Sequence, residues 1–483
     1  MQAAVEARAV TSRTRTGGVT VRDVSLTVGQ GELVAIIGGS GSGKSTLLAV
    51  LSGRRPPTTG AVLRHPGLQV ALVPAGDSIA PVLPLARALR YSAALRGVGD
   101  SGGDAVDDAL DLAGLAAAGS IPVGTLNPGE RKRAEIAAEL LAGPAALFLD
   151  EPTAFLDAAQ AAQVLRLLRR LSDNGSTVLL TTNNPSDAAR CDKVAVLATG
   201  GHLAFFGTPG EARGYFGADS LEEIYERLAG LGDPAAAWSR RFLYLSRTAA
   251  GSASVPTTPR PPGPALLIPD QAGPHSAGRP SLPATHDGDP EEEYDSEMDL
   301  GERNAAVPAQ GRRRAISPDP GPPRPIKQLP VLISRNAEVL ARARQPQVIM
   351  GAAPLAVLLV FCVLLAVGAL DGPAAVTLAW AVLAGLVTGA AYELPLRTSE
   401  SGMLRRERFS GLSTSAFVAA KAALLVPALA VADVIILAIP GMAGRLQLGF
   451  GLSYLSVFVA SAIGLSAAMA TLNRTAGLTV LSS

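Results

Sequence analysis

The sequence predicts a chain of two fold classes, an α/β domain at the N-terminus and an all-α, membrane-spanning block at the C-terminus. Three observations predict this division. Short β-rich runs alternate with helix-like stretches through the first 245 residues, four long apolar segments lie within residues 347–483, and a region rich in Pro, Gly and Ser separates them. A chain of 483 residues also exceeds what one hydrophobic core usually holds, so at least two domains are expected.

The composition favours a chain that is partly embedded in a membrane. Hydrophobic residues make up 48% of the chain and charged residues only 17%, which is a low charge content for a soluble protein. The net charge of +1 argues against nucleic acid as a partner. The two cysteines, Cys191 and Cys362, lack metal-ligand spacing, so a disulfide framework is excluded and a cytosolic head is expected. No signal peptide is expected, because the first 16 residues contain no apolar core segment.

Residues 1–245 have the pattern of an α/β domain. The helix-like stretches include Lys44–Ser52 and Arg131–Leu141. Strands separated by helices of this length predict βαβ units and a mostly parallel sheet. The predicted strands are the runs GVTVRDVSLTV, ELVAIIGG, LQVALVP, AALFLD, TVLLTT and KVAVLA.

Residues 246–326 are predicted to form a disordered linker. Pro, Gly, Ser and Ala dominate this region, and it has no apolar periodicity. Such a segment buries too little apolar surface to offset the conformational entropy that it would lose on folding. Residues 327–346 are predicted to form an amphipathic connecting helix that leads into the membrane block.

Four apolar segments are predicted to cross the lipid bilayer. The first contains ~23 residues without a charge, or ~35 Å of helix, which is long enough to span a membrane. Basic residues precede the first span and follow the second, so the positive-inside rule places the head and the arginine-rich loop in the cytoplasm. We therefore expect a multi-pass plasma membrane protein with a cytoplasmic head. The predicted spans are 348–370, 374–392, 422–440 and 452–471.

A phosphate-binding loop is the strongest motif in the sequence. It follows the apolar strand LVAII and precedes the helix TLLAVL, where backbone N–H groups at a helix N-terminus converge on phosphates. Lys44 is expected to reach the β- and γ-phosphates of ATP, and the Ser45 hydroxyl is expected to ligate Mg²⁺. The predicted nucleotide-binding residues of this loop are Gly38, Gly39, Ser40, Gly41, Ser42, Gly43, Lys44, Ser45 and Thr46.

Two acidic residues, Asp150 and Glu151, end a second apolar strand with the sequence ALFL. Asp150 is expected to hold Mg²⁺ through water, and Glu151 is expected to act as the general base for the attacking water. Acidic residues also favour the first turn of a helix. Beside an intact phosphate loop, that structural alternative is the less favoured one.

Several motifs resemble those of the ATP-binding cassette (ABC) family. LDEPTAFLD (149–157) resembles its Walker B and D-loop, and LNPGERKRAEIAAELLAGP (126–144) resembles its signature helix. The segments GRRPPTTG, LAFFGTPGEARGYFG and LRRERFSGLSTSAFVAAK are similar to those of the G subfamily, the white and pleiotropic-drug-resistance type. The resemblance implies a P-loop NTPase domain joined to an ABC-2-type membrane domain in a half-transporter that dimerises. ATP would then lie between the phosphate loop of one subunit and the signature residues of the other, here Asn127 and Gly129.

Four positions depart from the family's pattern for ATP hydrolysis. Ala75 stands where the family has the Q-loop glutamine, Pro128 and Glu130 alter the signature, and Asn183 replaces the switch histidine. Asn183 is a catalytic candidate that can donate a hydrogen bond, but it cannot relay a proton as histidine can. Losing one preorganised donor typically costs about 10²–10³ in rate. Nucleotide binding is therefore expected to persist, and hydrolysis by this chain alone to be slow.

Two functions remain open from the sequence. The first is an exporter half-transporter that pairs with a second ABC subunit, in a homodimer or a heterodimer. The second is a regulatory subunit that binds ATP, hydrolyses little and pairs with a competent ABC partner.

The membrane block is shorter than the six spans usual in the family, with TAGLTVLSS as a candidate start of a fifth span. Asp433, in the third span, is a candidate for a pathway or packing role. No pattern in the sequence identifies the transported substrate.

Overall fold

The computed structural model describes residues 2–14, 16–76, 78–98, 102–228, 234–251, 324–368, 373–409, 411–442 and 449–480. In the N-terminal domain, helices flank one mixed sheet. Its strands are β1 (Ala3–Arg13), β2 (Val19–Gly29), β3 (Leu33–Ile37), β4 (Thr59–Arg64), β5 (Val70–Val73), β6 (Ala146–Leu149), β7 (Thr177–Thr181), β8 (Lys193–Ala198) and β9 (His202–Gly207). Its helices are α1 (Lys44–Leu51), α2 (Leu85–Leu95), α3 (Gly102–Leu112), α4 (Pro128–Leu140), α5 (Ala158–Asp173), α6 (Pro185–Ala188), α7 (Pro209–Phe216), α8 (Leu221–Leu228) and α9 (Pro234–Gly251).

The centre of the sheet is parallel, as the sequence predicts. The strand order is β4-β1-β2-β9-β8-β3-β7-β6-β5, and β8, β3, β7, β6 and β5 pair in parallel. Every residue of β3, β6 and β7 is buried. Because both faces of such strands are covered, their sequences are continuous apolar runs without alternation. The α/β fold class is confirmed.

Alternate residues of the central strands face two separate cores. Leu33, Ala35 and Ile37 of β3 pack into the core that contains residues of α2 to α5. Val34 and Ile36 pack into the core that contains α1. This division follows from the period of two in a β-strand. With both faces covered, polar chemistry is confined to the loops at the strand ends.

Three strands, β1, β4 and β9, were not predicted. β1 pairs antiparallel with both β2 and β4, and β9 pairs antiparallel with β8. The ladder of β1 shifts register near Ala9, which has a positive φ of 49°. A bulge of this kind breaks the alternation that would have indicated a strand in the sequence.

Five helices of the described chain follow the α/β domain. Four of them contain segments long and apolar enough to cross a membrane: Arg344–Ala366, Ala375–Tyr392, Thr414–Met442 and Gly451–Ala470. These segments overlap the four predicted spans, and they confirm the helical class of this block. Nearly all of the predicted linker lies outside the described residues, so the domain bounds remain predictions. The five helices are α10 (Pro325–Arg342), α11 (Arg344–Ala366), α12 (Ala374–Phe409), α13 (Thr414–Met442) and α14 (Gly449–Val480).

Two of these helices extend beyond the predicted spans. α12 continues through the arginine-rich stretch to Phe409, so this polar segment lengthens the second helix. α14 continues to Val480, so TAGLTV extends the fourth helix and does not begin a fifth. The intrahelical hydrogen bonds of a helix do not depend on side-chain polarity, and a helix can therefore leave the apolar layer without ending.

Glycines bring α12 and α14 close together. A Cβ added at Gly389 would lie 2.0 Å from the Ser461 carbonyl oxygen, and one at Gly464 would lie 2.1 Å from that of Leu386. Small residues at such contacts allow backbones to approach in membrane helix pairs. Asp433 of α13 is fully buried beside this contact and accepts a 2.7 Å hydrogen bond from Ser461 Oγ. The bond links α13 to α14.

Buried ion pairs join the α/β domain to the helices that follow it. Glu139 of α4 accepts hydrogen bonds from Arg96 of α2 (Nη2–Oε1 2.8 Å) and from Arg406 of α12. All three side chains are at most 8% exposed. Burial opposes ionisation of Glu139, but the two guanidinium groups hold its pKa below the ordinary value. The end of α12 is thus fixed to α4, the helix that Asn127 caps.

Candidate nucleotide-binding site

Adjacent parallel strands bring the predicted site residues together. β3, β7 and β6 are consecutive neighbours in the sheet. The phosphate loop follows β3, the Asn183 loop follows β7, and the Asp150–Glu151 pair follows β6. Because parallel strands point the same way, these three loops meet at one edge of the sheet, where α/β proteins bind ligands.

The glycines of the phosphate loop divide into two groups. Gly38 (φ 149°) and Gly43 (φ 97°) have no room for a side chain, since an added Cβ would lie 2.2 Å from the Leu197 carbonyl oxygen and 2.1 Å from that of Thr20, respectively. At Gly39 and Gly41 an added Cβ would meet nothing within 4 Å. The first pair fixes the loop against the sheet, and the second leaves its outer side open to a ligand.

The N-terminus of α1 has the polar groups that a phosphate requires. No side chain caps it, and its first turn contains no acidic residue, so its N–H groups are available to an anion. The Ser42 hydroxyl is buried and has no hydrogen-bond partner in the described chain. A buried orphan donor of this kind is costly unless a ligand pairs with it. These observations fit a triphosphate.

Lys44 is 5% exposed, and its ammonium lies within the loop. Its Nζ donates to the carbonyl oxygens of Gly38 (2.8 Å) and Gly39 (3.0 Å). Desolvation lowers the pKa of Lys44, and the carboxylates of Glu151 and Asp150 oppose that shift. The ammonium is therefore a buried cation bonded to neutral carbonyls, an arrangement that phosphate oxygens would improve.

Ser45 and Asp150 meet as the sequence predicts. Ser45 Oγ donates to Asp150 Oδ1 at 2.8 Å, and Thr181 Oγ1 donates to the same oxygen at 2.7 Å. The two side chains are therefore close enough to serve one Mg²⁺, with Ser45 as a ligand and Asp150 acting through a bound water. No group of three or more His, Cys, Asp or Glu able to hold a metal occurs in the described chain. Mg²⁺ suits such a partial site, since it is commonly held by one or two carboxylates together with substrate phosphates.

Glu151 and Asn183 are in direct contact. Asn183 Nδ2 donates to Glu151 Oε1 at 2.6 Å, and the backbone N–H of Glu151 donates to Thr181 Oγ1 at 2.9 Å. Glu151 has a positive φ of 48°, a conformation that costs a non-glycine residue energy and occurs often at functional sites. The carboxylate is thus held at the edge of the site by an amide that can orient it but cannot exchange a proton with it.

Asn127 and Gly129 do not join this cluster. Asn127 caps α4: its Oδ1 accepts from the Glu130 N–H at 2.8 Å, and Glu130 Oε2 accepts from the Asn127 N–H at 3.0 Å. Pro128 occupies the first turn, where a missing N–H costs nothing. A Cβ on Gly129 would lie 2.9 Å from Gln160 Cβ, so the glycine is required by packing against α5. Glu130 therefore acts as part of a capping box within its own helix.

Ala75 lies in the loop after β5 and is tied to α4. Lys132 Nζ donates to the carbonyl oxygens of Pro74 (3.2 Å) and Ala75 (3.4 Å) and to Glu135 Oε2 (2.6 Å). The backbone N–H of Ser78 donates to Glu135 Oε1 at 2.7 Å. The loop is therefore held by α4 through its backbone, although the methyl side chain of Ala75 offers the nucleotide no polar group.

Two residues of the site were not predicted. Thr181 bridges Asp150 and Glu151, as described above, and the hydroxyl at the end of the apolar strand TVLLT was its only signal. Tyr225 lies on α8, 187 residues after Gly38, and its hydroxyl accepts from the Gly38 N–H at 3.2 Å. Nothing in the local sequence of α8 predicts this contact, which arises from tertiary packing.

Comparisons with known proteins identify the domain that carries this site. Residues 21–154 match the family model described as ABC transporter. The N-terminal domain therefore contains an ABC transporter domain. The match covers the phosphate loop, the signature helix and the acidic pair, and it confirms the resemblance drawn from the motifs. Binding of a nucleotide follows from this ATP-binding cassette domain.

Two curated relatives are similar to part of this chain. An ABC transporter ATP-binding/permease protein of Mycobacterium tuberculosis is 37% identical over 277 residues, which are 52% of this chain and 31% of that protein. ATP-binding cassette sub-family G member 5 of Mus musculus is 36% identical over 217 residues, which are 41% of this chain and 33% of that protein. The matched part thus spans about a third of each relative.

A solved structure of an ATP-binding subunit of an ABC transporter is also similar. It is 26% identical, with a TM-score of 0.41 over 47% of this chain and 99% of that chain.

Proposed function

We propose that this chain is a half-transporter subunit that couples ATP binding and hydrolysis to export across the plasma membrane. The observation that carries the proposal is the contact of Ser45 with Asp150 at 2.8 Å beside the buried ammonium of Lys44. It supports a MgATP site on a domain whose buried ion pairs reach the membrane-block helices. The four apolar helices and the relatives named as transport proteins support a multi-pass protein with a cytoplasmic head.

The proposed active form is a dimer. Asn127 and Gly129 lie at the start of α4, and in the described chain neither makes a hydrogen bond to the phosphate loop of the same subunit. A second ABC subunit would present its own α4 to the open side of the loop at Gly39 and Gly41. The resemblance to the G subfamily supports this pairing, in a homodimer or a heterodimer, and the substrate is chosen by the membrane block.

Within the proposed site, each residue has a defined task. Lys44 and the first N–H groups of α1 hold the phosphates, and Ser45 with Asp150 would hold Mg²⁺, which neutralises developing phosphate charge. Glu151 would accept a proton from the attacking water, and Asn183 orients its carboxylate. Tyr225 positions Gly38 and does not touch the reacting atoms.

A second candidate function is a regulatory subunit that binds ATP and hydrolyses little. The contact of Asn183 Nδ2 with Glu151 at 2.6 Å favours it, because an amide at this position cannot relay a proton. Pro128 has no N–H to offer an opposed nucleotide, and Ala75 offers no polar side chain. In this function the chain would bind MgATP and steady a more active ABC partner.

ATPase assays on the full chain in nanodiscs separate the two functions. The variants are Glu151→Gln, which removes the base, and the double variant Ala75→Gln/Asn183→His, which restores the family's residues. Wild-type turnover that Glu151→Gln abolishes supports the half-transporter. Negligible wild-type turnover that the double variant raises by about 10²-fold or more supports the regulatory subunit. Wild-type protein that does not bind MgATP contradicts both.

A further inference from the structure

A groove between the α/β domain and the connecting helix has the chemistry of an anion site. It is a solvent-open depression with a volume of about 430 Å³ between α2 and α10, within the range of about 300–1,000 Å³ typical of small-molecule sites. We refer to it as the α2–α10 groove. Its lining residues are Arg87, Arg90, Tyr91, Ala94, Pro330, Val331 and Ser334.

The two walls of the groove come from one face of each helix. Arg87, Arg90, Tyr91 and Ala94 are spaced i, i+3, i+4 and i+7 along α2, so they share a face. Pro330, Val331 and Ser334 share a face of α10 in the same way. The aliphatic part of the lining is formed by Ala94, Pro330 and Val331. The groove therefore combines an apolar floor with polar and cationic groups.

The cations of the groove outnumber its anions. Glu338, one turn beyond Ser334, accepts from Arg87 Nε (3.0 Å), Tyr91 OH (2.7 Å) and Arg342 Nη2 (2.9 Å). Arg90 is exposed and makes no hydrogen bond or ion pair with any residue that the structure describes. The lining itself carries two guanidinium groups and no carboxylate. Arg87 is paired with Glu338, so the unpaired positive charge of the groove is that of Arg90.

The groove lies next to the start of a membrane span. Gln328, two residues before Pro330, donates to the Gly411 carbonyl oxygen (3.2 Å) and accepts from the Ser413 N–H (2.9 Å). These two residues immediately precede α13. Leu332 packs in one cluster with Phe417, from the first turn of α13. The groove therefore lies beside the start of α13, which in the membrane arrangement of the proposed function is on the cytoplasmic side.

We propose that the α2–α10 groove binds the phosphodiester headgroup of an anionic glycerophospholipid from the cytoplasmic leaflet. Arg90 supplies the main charge-assisted hydrogen bond, the Ser334 hydroxyl lines the same groove, and the apolar floor takes the glycerol and the first methylenes. Arginine suits this role, because its planar fork matches the geometry of phosphate oxygens. The bound lipid would link α2 of the cassette domain to α10. This inference depends on the membrane arrangement in the proposed function.

The test measures lipid retention on the full chain. Detergent-purified protein is incubated with equal amounts of phosphatidylglycerol and phosphatidylcholine, and retained lipids are counted by native mass spectrometry. We expect preferential retention of one phosphatidylglycerol, and about tenfold weaker binding in Arg90→Gln, the size of one charge-assisted hydrogen bond. Arg90→Lys, which keeps the charge, should recover part of the affinity. Arg166→Gln is the matched control, since Arg166 is an exposed arginine of α5 and should bind as wild type.

Each other outcome overturns the assignment. Equal retention by wild type and Arg90→Gln, or no preference for phosphatidylglycerol, rejects the groove as the site. Displacement of the lipid by inorganic phosphate at equal concentration assigns the groove to a soluble anion and rejects the lipid. Reconstitution of the same samples into nanodiscs distinguishes failure of the lipid site from failure of the proposed function. Protein that does not co-elute with lipid refutes the membrane arrangement, and the lipid site in the α2–α10 groove is then refuted with it.

Discussion

Replacing Lys44 by Met tests the central feature of the site. Methionine keeps an unbranched side chain of similar length but removes the ammonium, which donates to Gly38 and Gly39 at 2.8 and 3.0 Å. On binding ATP these bonds would be exchanged for bonds to phosphate. One hydrogen bond to a charged group contributes about 1.5–3 kcal/mol, so the dissociation constant for MgATP should rise about 10- to 150-fold. The upper part of this range is expected, because Asp150 and Glu151 would face the phosphates without the ammonium.

Titration calorimetry with MgATP measures this change directly, and thermal unfolding gives a second readout. A ligand whose concentration is 100 times its dissociation constant stabilises the fold by about 2.7 kcal/mol. A ligand whose concentration only equals its dissociation constant stabilises the fold by about 0.4 kcal/mol. The thermal shift caused by ATP should therefore nearly vanish in Lys44→Met. Without nucleotide the variant should be at least as stable as wild type, because desolvation already disfavours the charged form and lowers the pKa of Lys44.

The matched control is Lys193→Met, which removes an ammonium paired with Glu32 at 2.7 Å at the start of β8. It should lose stability and keep its affinity for MgATP. Affinity of Lys44→Met within twofold of wild type, with the fold intact, would refute the assignment of the phosphate site.

Two further predictions concern stability and loop position. Glu139→Gln should destabilise the protein by about 3–5 kcal/mol at pH 7, because it leaves two buried guanidinium groups without their carboxylate. Since the folded-state pKa of Glu139 is lowered, its stabilisation is present above the ordinary value of 4.5 and is lost as the pH falls through the folded-state pKa. The apparent melting temperatures of wild type and Glu139→Gln should converge at that pH. The exposed control Glu226→Gln should lower the melting temperature at pH 7 by much less than Glu139→Gln. Tyr225→Phe removes one neutral hydrogen bond to Gly38 and should weaken MgATP binding about 2- to 12-fold, as measured by calorimetry. Unchanged affinity would mean that the Tyr225 hydroxyl does not position the phosphate loop.

The central strands and the phosphate loop were predictable because their signals are local. β3, β6 and β7 are apolar runs of four or five residues, and a run of this kind followed by a glycine-rich loop requires no tertiary information. The same holds for Ser45 and Asp150: once strands β3 and β6 are known to be parallel, their following residues must lie at one edge of the sheet. Their 2.8 Å contact agrees with that reasoning.

The edge of the sheet and the accessory contacts were not predictable in this way. β1 has weak alternation, and it becomes a strand by pairing with β2 and β4 on either side. Glu130 alters the family's signature in the sequence, and only the fold shows that its carboxylate accepts from the Asn127 N–H in a capping box. A sequence gives the residue type at a position, whereas the hydrogen bond that the side chain makes depends on which groups the fold places within reach.

By itself, the sequence determined the α/β class of the head, the identity of the phosphate loop, the acidic pair and the presence of four apolar helices. These features depend on side-chain periodicity and spacing along the chain, which folding does not change. The tertiary structure decided that Tyr225 reaches Gly38, that Arg406 is buried against Glu139, and that Arg87 and Arg90 face α10 across a groove. Each of these contacts joins residues more than 150 positions apart or on separate elements, and only packing brings them within bonding distance.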